Sequence, residues 1–405
     1  MDLRTATPYW LLKSGLAFEY ASLRENLKTE YAVIGGGITG ALVAWYLSRA
    51  GVPVLLLDRR HIGMGSTCAS TSMLQYEIDT PLSDLADIVG EDHAARSYRL
   101  CAEAIDKLED ISRQLPIPTD FERKPSLYYA SRSRHVQALE RELAIRQKHG
   151  FEIEYLDKSR VKQLFPFSAP AALYSRQGGQ VDAYALTHGL LQDALRYGAR
   201  VFDKTEVTKI RHDAQGVTLQ TNLGPTVAAR KLVIANGYES QQYLNRKVNR
   251  LNSSYALVSE PYEAEVLWHE NALIWETARP YLYMRTTKDR RVLVGGRDER
   301  FQNADRRDRL LARKTKELTR DFEKLFPNLA PLRVDYNWAG TFAETEDGLP
   351  YIGAVPEQPH AIFALGFGGN GITFSQVAAE IIRDGAIGKH NPDADIFSFQ
   401  RVSRM

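Results

Sequence analysis

Six consecutive residues, Gly35-Gly36-Gly37-Ile38-Thr39-Gly40, carry the spacing G-x-G-x-x-G, and a carboxylate, Asp58, closes the next apolar run. In this pattern one glycine makes a tight turn, a second lets the backbone approach a pyrophosphate, and the third lets a helix pack against a strand. Phosphate charge then sits at the helix amino-terminus, where unsatisfied N–H groups and the helix dipole favour an anion. A carboxylate in the place of Asp58 accepts hydrogen bonds from ribose hydroxyls and repels a 2′-phosphate, which disfavours NADP. The chemistry on offer is capture of the adenosine diphosphate half of a dinucleotide, with FAD and NAD both open. A glycine turn packed for its own sake is the plainer alternative, so the flanking elements decide. Tyr31 to Ile34 is a short apolar strand. From Ile38 to Ala50 the apolar residues Ile38, Ala41, Leu42, Trp45 and Leu47 follow helical spacing, and Gly51 stops them. Val52 to Leu57 then reads as a buried parallel strand, which completes the unit the motif requires.

Other segments could add to such a site. Gly366 to Gly371 precedes an apolar helix, about Thr373 to Asp384, and would present backbone N–H groups and a positive helix end to developing negative charge. A simple glycine-rich loop is the alternative there. Gly65, Ser66 and Thr67 lie in an irregular stretch and offer N–H and hydroxyl groups, although Ser and Thr cap helices as often. Cys68 is read as a buried, unreactive thiol. From Ser253 to Gly296 aromatic and β-branched residues alternate in short runs, which predicts an antiparallel sheet. Tyr255, Arg279, Tyr283, Arg285 and Arg297 fall in it, and an Arg there could clamp a carboxylate in bidentate fashion while Tyr orients it. Arg285 is favoured because it alternates with Tyr283 and Tyr281 on one strand face; solvated or cross-strand-paired side chains are the alternative.

These segments need a scaffold of some size. A chain of 405 residues predicts two domains with a cleft between them. Helices are expected over 84–115, Ser133 to His149, Leu186 to Tyr197 and 305–325, and strands over Val201 to Ile210, Val217 to Leu223 and Lys231 to Ala235. No repeat or Pro/Ser linker separates the halves, so the domains should interleave. Hydrophobic residues at 44%, charged residues at 25% and a formal net charge of +2 describe an ordinary globular protein without a basic field, so neither nucleic acid nor anionic lipid is an expected partner. Two cysteines, Cys68 and Cys101, suggest a reducing compartment and no metal site. No apolar stretch approaches the roughly 18 residues a spanning helix needs, and no secretion signal is evident, so a cytoplasmic protein is expected.

Several separated motifs then occur in one order: the turn through Asp58-Arg59, Gly65-Ser66-Thr67, the strand Leu232 to Gly237, Trp338-Ala339-Gly340, Asp347 to Gly353, and Leu365 to Thr373. Nearly end to end, the sequence resembles the D-amino-acid oxidase/glycine oxidase-like family of FAD-dependent oxidoreductases. The resemblance implies an α/β fold: a Rossmann-like FAD-binding domain (1–85, 155–240 and 335–405) interleaved with an antiparallel-sheet, α+β substrate domain (86–154 and 241–334). It implies FAD as cofactor, held by Gly35, Gly37, Ile38, Thr39, Gly40, Asp58, Arg59, Gly65, Ser66, Thr67, Val207, Gly237, Gly366, Gly368, Gly369, Asn370, Gly371, Ile372 and Thr373. It also implies oxidation of the carbon–nitrogen bond of a small amino acid or amine by hydride transfer to flavin N5, with the imine then hydrolysed. The only other candidate turn, Gly295-Gly296-Arg297, lacks a third glycine and an apolar helix, so electrons should come from the substrate itself rather than from NADH.

One departure bears on the substrate. Many amino-acid-oxidising relatives resemble one another in placing an Arg two residues beyond the Gly of a Trp-x-Gly segment, and this chain has Phe342 there. Either another Arg holds a carboxylate, or the substrate is an amine without one. Arg285, Tyr283, Tyr255 and Phe342 are the expected substrate-side residues. A dehydrogenase of an alcohol or hydroxy acid, and a flavoprotein with an RNA-modifying or non-enzymatic role, are the alternatives. The near-neutral charge speaks against the second of these. Oxygen, a quinone or a carrier protein remains open as electron acceptor, as do the oligomeric state and a covalent flavin link.

Overall fold

In the computed structural model, which describes residues 2–16, 18–301 and 303–401, the strand Leu27–Ile34 leads through the glycine turn into the helix Ile38–Arg49 and returns as the strand Val54–Leu57. Residues 31–34 and all of Val54–Leu57 are buried, as strands covered on both faces must be. Alternation divides their side chains. Val33, Leu56 and Val233 meet a layer of helices, while Ala32, Leu55, Leu57 and Ile234 meet a second apolar cluster.

These strands form an eight-stranded sheet with the order Tyr351–Val355, Gln358–Leu365, Thr226–Ile234, Leu27–Ile34, Val54–Leu57, Arg200–Phe202, parallel after its first edge strand. Val207–His212 and Val217–Thr221 continue from Thr226–Ile234 as an antiparallel meander, and Val217 and Leu219 join the second cluster. The helical layer comprises Ile38–Arg49, Glu91–Gln114, Ala183–Arg196 and Gly371–Ala386, which share one core through Leu42, Ile105, Leu190 and Ala378.

The other sheet is ten-stranded and antiparallel except where Leu273–Glu276 runs beside Glu122–Tyr129. At its centre lie Val334–Glu344, Arg250–Ser259, Val292–Glu299 and Leu282–Thr286, in that order. The helix Ala304–Leu325 covers one face of these strands, packing Leu318 and Phe322 against Tyr255, Leu257 and Val294. Among the described residues, no helix is long and apolar enough to cross a membrane.

Element positions follow the sequence pattern with local exceptions. The helix expected over 84–115 breaks at Gly90 into Leu82–Val89 and Glu91–Gln114. The strand expected over Val201 to Ile210 is two strands, because Lys204 turns left-handed (φ 48°) between them. Domain boundaries shift more. Arg4–Thr5, Met73–Leu74, Ala171–Gln180, most of Val334–Glu344 and the second half of Ile153–Asp157 join the antiparallel sheet, although the expected boundaries put them with the FAD-binding domain. Conversely, Glu91–Gln114, expected in the substrate domain, packs into the helical layer of the parallel sheet. Alternation reports that a strand has a buried face; it carries no information about which sheet supplies the cover.

Candidate active site

A cavity of about 1010 Å³ joins the glycine turn to the antiparallel sheet. Gly35, Gly37, Ile38, Thr39, Asp58 and Arg59 line one end, with Val207 and Gly237 nearby, and Trp275, Tyr281, Tyr283 and Phe342 line the other. At the first end the helix packs so closely that a Cβ on Gly40 would stand 1.8 Å from the Gly35 carbonyl oxygen. Gly40 therefore lies behind the cavity and permits its shape without lining it. The first helical hydrogen bond runs from the Ala41 N–H to the Gly37 carbonyl. The preceding N–H groups have no helical acceptor, and Ile38 donates instead to Thr67 Oγ1 at 3.0 Å. Asp58 Oδ2 accepts from the Gly36 N–H (2.6 Å) and Oδ1 from the Arg60 N–H (2.7 Å). Burial pushes this carboxyl above its ordinary range, and the two N–H donors oppose the shift. Each carboxylate oxygen keeps a lone pair for a sugar hydroxyl. Arg59 and Arg60 both bind Glu239, so the basic pair at this end is held in place.

The middle of the cavity is bordered by residues 65–67 and 69–73. This loop is fastened from behind. Trp338 Nε1 donates to the Ala69 carbonyl (2.8 Å), Trp10 Nε1 to Ser70 (2.7 Å) and Arg285 Nε to Thr71 (2.7 Å). Opposite, Gly368, Gly369, Asn370, Gly371 and Ile372 border the cavity where the helix Gly371–Ala386 begins. Asn370 leaves this helix uncapped, because its amide donates to the Gln75 (3.1 Å) and Glu77 (2.8 Å) carbonyls. The N–H groups of the first turn therefore remain available, with the positive end of the dipole behind them. Gly366 and Thr373 stand outside the lining; Thr373 Oγ1 donates to the Asn370 carbonyl within the turn.

At the sheet end, register decides which side chains enter. Ala256, Gly295 and Tyr283 are cross-strand partners on the cavity face, and the missing side chain of Gly295 lets the Tyr283 ring lie across the neighbouring strand. Phe342 shares that face through Gly340 and Trp338. Tyr255 pairs with Gly296, whose other partner is Leu282, so although its strand borders the cavity its ring points to the opposite face. There it packs in the cluster with Leu318 and Phe322, with Lys314 Nζ 5.5 Å from the ring centroid. The expectation that Tyr255 contacts substrate is corrected on this ground.

Arg285 is corrected likewise. It lies on the expected face but beyond the cavity, buried and donating to the Thr71 and Val181 carbonyls. Arg297 faces the covering helix and pairs with Asp321, and Arg279 lies exposed, donating to main-chain carbonyls including that of Asp79. Among the lining residues that the sequence reading missed are Trp275, Ser254, Asp79 and Asp298. Aromatic content could have flagged Trp275. The carboxylates have no such signal, because they enter through a loop and an irregularity in a strand.

A family model described as FAD dependent oxidoreductase (DAO) matches residues 30–384. The chain belongs to this family of FAD-dependent oxidoreductases. Glycine oxidase of Geobacillus kaustophilus is 26% identical over 365 residues, covering 88% of this chain and 92% of the relative. Gamma-glutamylputrescine oxidoreductase of Escherichia coli is 24% identical over 394 residues, covering 93% and 88%. Among solved structures, L-proline dehydrogenase from P. horikoshii superposes with a TM-score of 0.79 at 20% identity, covering 94% of this chain and 99% of that one, and so shares the fold. The chain is therefore an enzyme that uses FAD and acts on a small-molecule substrate. Its cavity fits the cofactor: a glycine cradle with uncapped helix N–H groups, a carboxylate at the adjoining position, and a second uncapped helix terminus further along.

Proposed function

We propose that this enzyme oxidises the carbon–nitrogen single bond of a small amine or amino acid, releasing an imine that water hydrolyses. The observation that carries the reading is the single cavity running from the dinucleotide cradle to an aromatic wall on the antiparallel sheet. When bound, FAD supplies the two-electron acceptor for that oxidation. Gly35, Gly37, Ile38 and Thr39 would hold its pyrophosphate and Asp58 its ribose. The uncapped amino-terminus of Gly371–Ala386 would face the negative charge that gathers on the ring system during reduction. Tyr283, Phe342 and Trp275 enclose the substrate, exclude water and orient the C–H bond to be broken. The names of the glycine, gamma-glutamylputrescine and proline enzymes support a carbon–nitrogen bond as the target.

Anaerobic mixing of the FAD-loaded protein with a panel of amines, amino acids and 2-hydroxy acids tests the reading. Bleaching of the visible flavin bands by amines or amino acids and not by hydroxy acids is expected. Bleaching by hydroxy acids alone overturns it. Admitting air after reduction then distinguishes oxygen from another electron acceptor.

A further inference from the structure

Beside Tyr283 the strand Val292–Glu299 departs from regular pairing. Tyr255 faces Gly296 but Ser253 faces Glu299, so the strand contains one residue more than its partner, and Arg297 absorbs it with φ 56°. Arg297 turns toward the covering helix, with Nε 2.7 Å from Asp321 Oδ2, and Glu299 also faces that helix, 2.7 Å from Lys314 Nζ. Between them Asp298 borders the cavity alongside Ser254, Tyr281 and Tyr283. Its Oδ1 is buried and makes no hydrogen bond among the described residues. Asp79 borders the same space but is engaged, accepting from the Gly369 N–H at 2.6 Å and from Tyr281 Oη at 3.4 Å.

We propose that Asp298 is the cation-binding residue of the substrate end, selecting an amine that brings an ammonium group, and no carboxylate, to the antiparallel sheet. This rests on amine oxidation in the same cavity. A buried carboxylate oxygen without a donor is costly, and an ammonium group supplies a charge-assisted hydrogen bond that removes the cost. Tyr281 and Tyr283, with ring centroids 5.5 Å apart, add aromatic faces suited to a cation. A substrate carboxylate in that position would meet like charge from both Asp298 and Asp79. Burial raises the Asp298 carboxyl to about 7, with Asp79 and Glu344 adding to the rise and Ser254 and Lys314 opposing it.

The test uses the FAD-loaded protein and an amine that cannot be oxidised. 2,4,4-Trimethylpentan-2-amine has no hydrogen on its amine-bearing carbon, and the matching alcohol, 2,4,4-trimethylpentan-2-ol, is its neutral counterpart. Calorimetric titration should show that the wild type prefers the ammonium ion. In Asp298→Asn that preference should fall by on the order of tenfold, the value of one hydrogen bond to a charged group, with alcohol binding and FAD content unchanged. If the variant fails to load FAD, the wild type alone decides: ammonium affinity should rise as pH increases through about 7 while alcohol affinity stays level. Equal affinity of the wild type for both ligands, or an unaltered preference in the variant, overturns the proposal. Because no turnover occurs, such a failure is distinct from failure of the bleaching experiment.

Discussion

Replacing Arg285 by Met separates two roles for a buried arginine on the substrate sheet. Its guanidinium donates to the Thr71 carbonyl at 2.7 Å and the Val181 carbonyl at 3.2 Å, and lies 5.0 Å from the Trp10 ring centroid. Each hydrogen bond to a charged group contributes about 1.5–3 kcal/mol, and Met leaves both carbonyls without that donor. Part of the loss is offset, because a cation whose pKa burial lowers to about 10 no longer has to be kept out of water. A net loss of about 2–4 kcal/mol follows, which lowers the melting midpoint by roughly 2–5 °C in a protein of this size. Since Thr71 belongs to the loop bordering the middle of the cavity, FAD should also be released earlier in the melt. Flavin fluorescence during a thermal ramp measures both, and the KM for the best amine should change less than about twofold. An unchanged midpoint together with a KM raised tenfold or more would refute the reasoning, because the guanidinium would then be touching substrate.

Three further outcomes are expected. Gly40→Ala, whose Cβ would sit 1.8 Å from a main-chain oxygen, should yield no FAD-loaded protein, whereas Gly385→Ala, with open space around it and away from the cavity lining, should load FAD normally; the absorbance ratio of flavin to protein checks both. The raised Asp298 carboxyl makes the folded chain hold a proton that the unfolded chain has already lost at mildly acidic pH. The contribution of Asp298 to stability should therefore fall as pH rises from about 4 to about 7, so the stability of the wild type relative to Asp298→Asn should drop across that range in urea melts. Cys68 is buried, donates to the Gly65 carbonyl at 3.3 Å, and has its thiol pushed up to about 11 by burial, so it should form no bond to flavin. Acid precipitation should leave all the yellow colour in the supernatant, and colour in the pellet would contradict this.

The cofactor end was the legible part of this sequence because its determinants are local. A turn, the helix it opens and the strand that follows are contiguous, and each glycine has a steric reason to be there. Asp58 could be placed at a strand end by counting along one short segment. The substrate end depends on which strands become neighbours and in what register. Tyr255 and Tyr283 look equivalent in the sequence, yet their rings face opposite sides of one sheet, a difference set by pairing across Gly295 and Gly296. Arg285 could not be recognised as a fastener because its partners, Thr71 and Val181, are main-chain carbonyls distant in sequence, and any residue type supplies a carbonyl.

The bulge at Arg297 shows how much one unpaired residue can alter. Alternation from Gly295, a cavity-facing position, puts Arg297 in the cavity and Asp298 on the far side. A substrate end read that way would carry a cation and suit a carboxylate. Because Arg297 adopts a left-handed conformation, the order is reversed, and a carboxylate with a buried, unpaired oxygen faces the cavity instead. Glycine is the residue that favours such a conformation at a bulge, and here an arginine adopts it; the Gly295-Gly296 pair before it marks an irregularity in the strand but not which residue is displaced. Phe342 stands where the resemblance to amino-acid-oxidising enzymes implies an arginine after Trp-x-Gly, and the bulge keeps Arg297 from taking over that task. Both changes move the charge of the substrate end in the same direction, toward an amine that arrives as a cation.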